Sequence, residues 1–175
     1  MTRLAVLAVV LGLLAAGCTS NTTTAPTTTA AANPVFTAQL LPSNEVPPII
    51  GAEASGSGLM TITMHLTKDA AGSITAATVD FNGTFSGFPA GTVATVAHIH
   101  QGAATCACPV VISTAIAAGE VTFPNGSGSL VKSGVTVSPV DLANALLNNP
   151  SGFYFNIHTA NNPGGVARGQ LARSQ

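Results

Sequence analysis

From Met60 to Thr67 the chain alternates strictly, Met60, Ile62, Met64 and Leu66 against Thr61, Thr63, His65 and Thr67. A period of two is the signature of a strand with one face buried. Polar residues Lys68 to Gly72 then predict a hairpin loop. Ser73 to Asn82 reads as the return strand, with Thr75, Ala77, Val79 and Phe81 on one face. Further strands are expected at Thr92 to His100, Val110 to Thr114, Glu120 to Phe123, Gly128 to Val135 and Val166 to Leu171. The clearest late strand is Phe153 to His158. There Phe153, Phe155 and Ile157 share one face, and Tyr154, Asn156 and His158 share the other. The alternation marks Phe36, Leu40, Ile62, Met64, Phe81, Val96, Leu142, Leu146, Phe155 and Ile157 as core. His65, beside Thr61 and Thr63, is expected on the solvated face.

One segment breaks the period. Ser138 can cap a helix, Pro139 fits its first position, and Asp141 lies three residues after the cap. Val140, Ala143, Leu146 and Leu147 form an apolar stripe, and Asn148, Asn149 and Pro150 end it. About seven to nine short strands with one short helix predict an all-β fold, a Greek-key β-sandwich or barrel. It would be superoxide dismutase-like or immunoglobulin-like.

The first residues follow another logic. Arg3 precedes an apolar run from Leu4 to Ala16, too short to span a bilayer comfortably. The layout is that of a secretory leader over residues 1–17. Leu14-Ala15-Ala16-Gly17-Cys18 resembles a bacterial lipobox, with Ala15 in place of the usual Leu and Cys18 as the lipid acceptor. Residues 18–34 hold seven Thr between Thr19 and Ala32 and no apolar period. They read as a flexible tether, which Pro34 closes. The folded domain is expected over residues 35–172, long enough to bury a core. The expected location is the exported bacterial cell envelope, with the lipid anchor as the membrane partner.

Composition narrows the function. Charged residues are 6% of the chain, with 5 Lys+Arg against 6 Asp+Glu. Removing Arg3 with the leader leaves 4 basic and 6 acidic side chains, a net charge of −2. Nucleic-acid binding needs a basic face, so it is excluded. There is no phosphate loop, no Gly-x-Ser-x-Gly elbow and no carboxylate cluster for acid–base work. Glu45, before Pro47-Pro48, reads as a turn anchor rather than a general base.

Histidine and cysteine offer more chemistry. His98 and His100 stand two apart on a strand, so their side chains leave one face. Their Cβ atoms then lie about 7 Å apart, within reach of one metal. His158 can supply a third nitrogen, and imidazole suits copper, zinc or nickel. The competing reading has these rings hydrogen-bonding loop carbonyls and fixing the end of the sandwich. Asn156 and Thr159 are expected to make structural hydrogen bonds. Arg168 either guides an anion or, preferably, pairs with Glu45 or a carbonyl. Cys106 and Cys108 stand one residue apart after the histidine strand. In an oxidising compartment they read first as a disulfide closing a small, reducible ring. The other reading is a thiolate pair adding soft ligands that favour Cu(I) or Zn.

Several segments together resemble the CHRD domain, the module named from chordin. They are Phe36-Thr37-Ala38-Gln39-Leu40, Asn44-Glu45-Val46-Pro47-Pro48, Ala97-His98-Ile99-His100-Gln101-Gly102 and Pro109-Val110-Val111. Tyr154-Phe155-Asn156-Ile157-His158-Thr159 and Asn161 to Leu171 complete the set, so the likeness spans Phe36 to Leu171. The Cys-Ala-Cys stretch departs from that pattern, which usually has a Gly-rich loop there. The resemblance implies a secreted or lipid-anchored module. Chordin's role as a growth-factor antagonist does not transfer to a bacterial lipoprotein. A weaker resemblance is to copper–zinc superoxide dismutases, carried by His98-Ile99-His100, His158, Gly164-Gly165 and Arg168. The bridging histidine and the zinc ligands of those enzymes are absent. The functional expectation is a non-catalytic binding or structural envelope module with an unidentified protein or surface partner. The alternative is a copper-binding protein with superoxide chemistry at His98, His100 and His158.

Overall fold

The computed structural model describes residues 32–175. The leader at 1–17, Cys18 and nearly all of the 18–34 tether lie outside the described residues. Among the described residues ten strands form: β1 (Val35–Leu40), β2 (Ser57–Lys68), β3 (Ile74–Ser86), β4 (Thr92–Gln101) and β5 (Val110–Ser113) come first. β6 (Val121–Phe123), β7 (Gly128–Thr136), β8 (Phe153–Thr159), β9 (Ala167–Gln170) and β10 (Ala172–Arg173) follow. They make two antiparallel sheets, one ordered β10-β1-β2-β3-β7 and the other β5-β4-β8-β9, with β6 also on β4. The fold is a sandwich-like all-β domain with one short helix, α1 (Val140–Asn148). β1 and β10 are the strands not expected as such, although Phe36 and Leu40 of β1 are fully buried.

The sheets meet through aromatic rings. Phe81 of β3 faces Phe155 of β8 at 5.8 Å between centroids, and Phe85 stacks on Phe123 of β6 at 5.3 Å. Met60, Ile62 and Met64 line the same interior. Leu41 and Arg168 exchange backbone hydrogen bonds of 3.1 and 3.4 Å and tie the end of β1 to β9. Gly169 permits that approach, because a Cβ there would collide with the Gln39 carbonyl.

Two expectations about local structure need correction. Val96 is not core: its residue is 38% exposed. Ala94 pairs with Thr159 but Val96 with His158, so Thr95 is an extra residue in β4. Such a bulge shifts the alternation by one. Ala94, Ala97 and Ile99 therefore point inward, and Val96 points out. Ser138 does not cap α1. Pro139 takes the cap position with extended backbone, no side chain bonds the first turn, and the Pro139 carbonyl accepts from Leu142 N–H at 3.0 Å. The helix is held by Leu142, Ala143 and Leu146, which are buried. His65 does face outward, but it is paired rather than merely solvated: its ring lies 2.9 Å from Asp80 Oδ2 and 3.0 Å from Asn33 Nδ2.

β8 decides where the chemistry sits. All seven of its residues are buried, on both faces. Its inner face meets the opposite sheet. Its outer face, the one with Tyr154, Asn156 and His158, lies under the loops that follow β1, β4 and β8.

Candidate metal centre

His98 and His100 leave the outer face of β4 opposite Asn156 and Tyr154 of β8. β4 and β8 stay in register from Val96 to Gln101, so the two histidines keep one face. The irregularity near His100 falls on β5, where Val111 is the extra residue. His158 comes from β8, opposite Val96. The rings converge, with centroids 5.1 Å apart for His98 and His158, 5.7 Å for His98 and His100, and 6.4 Å for His100 and His158. Each ring offers one nitrogen, and these nitrogens lie within 4.8 Å of one another.

Hydrogen bonds divide the nitrogens into two kinds. His100 Nδ1 donates to the Cys108 carbonyl at 2.7 Å, and His158 Nδ1 donates to the Pro163 carbonyl at 2.9 Å. A carbonyl can only accept, so each Nδ1 carries the proton and each Nε2 keeps its lone pair. Both Nε2 atoms, and Nδ1 of His98, are buried without a hydrogen-bond partner. A backbone carbonyl behind the ring and a bare nitrogen ahead of it is the arrangement that orients metal-binding histidine. The two readings of these histidines thus describe opposite edges of the same rings.

Burial holds all three imidazoles below the ordinary histidine range. His98 is pushed down to about 4, by burial first and then by His158 and His100. His100 and His158 are also lowered by burial, partly offset by their bonds to Cys108 and Pro163. The rings are therefore neutral at neutral pH, the form that binds metal. Tyr154 stacks on His100, with centroids 4.7 Å apart and planes within 2°. Arg168 lies over the tyrosine ring, 4.8 Å from its centroid.

A family model for the CHRD domain matches residues 36–171. The chain belongs to the CHRD family. No curated protein and no solved structure matches it. Within this CHRD domain Arg168 is a structural residue. Nε donates to the Asn44 carbonyl at 2.6 Å, Nη1 to Cys106 at 2.8 Å and Nη2 to Ala104 at 2.7 Å. Glu45 Oε2 stands 3.7 Å from Nε, and both side chains are about 95% buried. Bonds to three carbonyls use three of the five guanidinium N–H donors and fix the group in place. Cys106 and Cys108 are joined by a disulfide. Cys18 lies outside the described residues.

Glu53 escaped the sequence reading. It is buried, and its Oε2 accepts from Thr159 Oγ1 at 2.9 Å and from Asn162 Nδ2, fastening the loop beyond His158. An acid among small residues in Gly51-Ala52-Glu53-Ala54-Ser55 carries no local signal of that role.

Glu45 and the histidines set opposing pH trends in the CHRD domain. Burial raises the Glu45 carboxyl to about 7, against the pull of Arg168. Folded Glu45 thus holds a proton that the unfolded chain releases, and its contribution is lost as pH rises from about 4.5 to 7. The histidines behave oppositely. Below about 6.5 the unfolded chain takes up protons that the folded rings refuse, so stability falls with falling pH. With three such rings against one carboxyl, the metal-free domain should be less stable at pH 5 than at pH 7. Glu45→Gln removes the opposing group and should steepen that loss. Urea unfolding at pH 5, 6 and 7 measures both trends, and a shallower slope in the variant contradicts the assignment.

Proposed function

We propose that this protein is a lipid-anchored module of the bacterial cell envelope that binds copper, without catalysing a reaction, through His98, His100 and His158. The reading is carried by three histidines that each bring a nitrogen within 4.8 Å of the others and each hold a buried nitrogen without a hydrogen-bond partner. Bare nitrogens in a buried site are costly unless something meets them. A metal held by three imidazoles sits about 2.0–2.1 Å from each nitrogen, which places the nitrogens about 3.5 Å apart. Inward shifts of under about 1 Å per ring reach that geometry. Nitrogen-only donors favour Cu(II) over Zn(II) in the general affinity order. The structural commitment of Arg168 favours binding over superoxide chemistry.

Cu(II) titration of the purified protein, followed by its paramagnetic resonance spectrum, tests the reading. One equivalent should bind with nitrogen coupling at pH 7.5, and His98→Ala/His100→Ala should abolish it. Free imidazole would lose metal below about 6.5. Here proton competition should be delayed, because the folded rings resist protonation and His98 does so down to about 4. Binding should persist at pH 5.5 and fail near pH 4. No binding at pH 7.5, or equal binding in the double variant, removes the site.

The anchor is tested separately. Cys18→Ala should move the processed protein from the membrane fraction to the soluble envelope fraction. Retention on membranes after leader cleavage would sink the lipobox reading.

A further inference from the structure

The loop from Gly102 to Pro109 forms the wall behind His100, and a disulfide closes it. The Cys108 carbonyl accepts the His100 Nδ1 proton at 2.7 Å. The Cys108 N–H donates to the Tyr154 hydroxyl at 3.1 Å, and that ring lies flat on His100. The Cys106 carbonyl accepts from Arg168, whose guanidinium covers Tyr154. Both cysteines therefore contribute backbone groups to the set of contacts that orients His100. Segment 106–108 cannot change conformation and leave His100 undisturbed.

We propose that the Cys106–Cys108 disulfide is a redox latch on the histidine site: closed, it holds His100 ready for metal, and opened by a dithiol it lets the metal go. This rests on the three-histidine reading given above. The disulfide lies against Gly102, where a Cβ would collide with Cys108 Sγ and lie 3.3 Å from Cys106 Sγ. The backbone is thus shaped around the closed form. Both cysteines are half-buried and flank exposed Ala107, so a reductant can reach the bond. The step balances as an exchange. A thiolate of the dithiol attacks one sulfur, the S–S bond breaks, and the second dithiol sulfur closes to a new disulfide. Two electrons and two protons pass to Cys106 and Cys108, and the metal need not change oxidation state. With the ring opened, Ala107 regains freedom and the Cys108 carbonyl is no longer fixed against Nδ1. Loss of such an outer partner lowers metal affinity about 10- to 100-fold.

Two measurements test the latch. The first compares Cu(II) affinity of the oxidised full chain with Cys106→Ser/Cys108→Ser, which lacks both the bond and any thiol. The variant should bind about 10- to 100-fold more weakly. The second needs no metal or variant. The His100 Nδ1–H proton of the oxidised metal-free protein should give a protected imidazole resonance, and dithiothreitol should remove it. Unchanged Cu(II) affinity in the serine variant overturns the latch, as does persistence of the resonance after reduction. Tighter Zn(II) binding by the reduced protein also overturns it, because the freed thiols then capture metal instead of releasing it. If the oxidised protein binds no Cu(II), the three-histidine reading itself has failed and the latch falls with it.

Discussion

Replacing Arg168 by methionine is expected to cost the domain about 3–5 kcal/mol, because it removes three hydrogen bonds from a charged donor, each contributing about 1.5–3 kcal/mol. The side chain is about 95% buried, and its guanidinium serves the carbonyls of Asn44, Ala104 and Cys106. Methionine keeps the volume but leaves three carbonyls unpaired. Each of these carbonyls that packing keeps from water costs about 1–3 kcal/mol, though the terms are not additive. Glu45 loses the Arg168 charge that pulls its carboxyl down and should shift further toward its protonated form. Lysine should recover only a part, because a point charge cannot span three acceptors in a planar fork. Urea unfolding at pH 7 measures the loss. A cost under about 1 kcal/mol would mean that water replaces the guanidinium and that Arg168 is not a structural clamp.

Truncating Phe155 to alanine should be as damaging, at about 3–5 kcal/mol. Phe155 is fully buried in the middle of β8, and its ring meets Phe81 from the facing sheet. The strand is enclosed on both faces, so neighbours cannot close over the lost ring without breaking ladder hydrogen bonds. The unfolding midpoint should fall with an unchanged denaturant slope. A cost under about 1.5 kcal/mol would mean that the two sheets collapse onto the gap.

Most of the strands were legible because alternation is a local property. Met60, Ile62 and Met64 are buried as the pattern requires, and Leu66 is half-buried against the core. Where the pattern misled, one residue was responsible. Thr95 is polar and unremarkable in sequence, yet as a bulge it turns Val96 out of the core. The helix was placed correctly but started differently, because Pro139 rather than Ser138 occupies the cap.

The amino-acid sequence by itself determined the class of fold, nine of the ten expected core residues, and the shared face of His98 and His100. All of these depend on a period of two, which the backbone of a strand imposes regardless of what lies beyond it. Only the tertiary structure decided that the polar face of β8 is roofed, so that His158 joins a buried cluster instead of meeting solvent. It also decided that Cys108 and Pro163 supply the carbonyls that leave each Nε2 bare, and that Arg168 reaches back to Asn44 and across to Ala104 and Cys106. The partner of a buried polar atom is set by which distant segment packs against it. Asn44 and Arg168 are 124 residues apart, and no local pattern encodes that meeting.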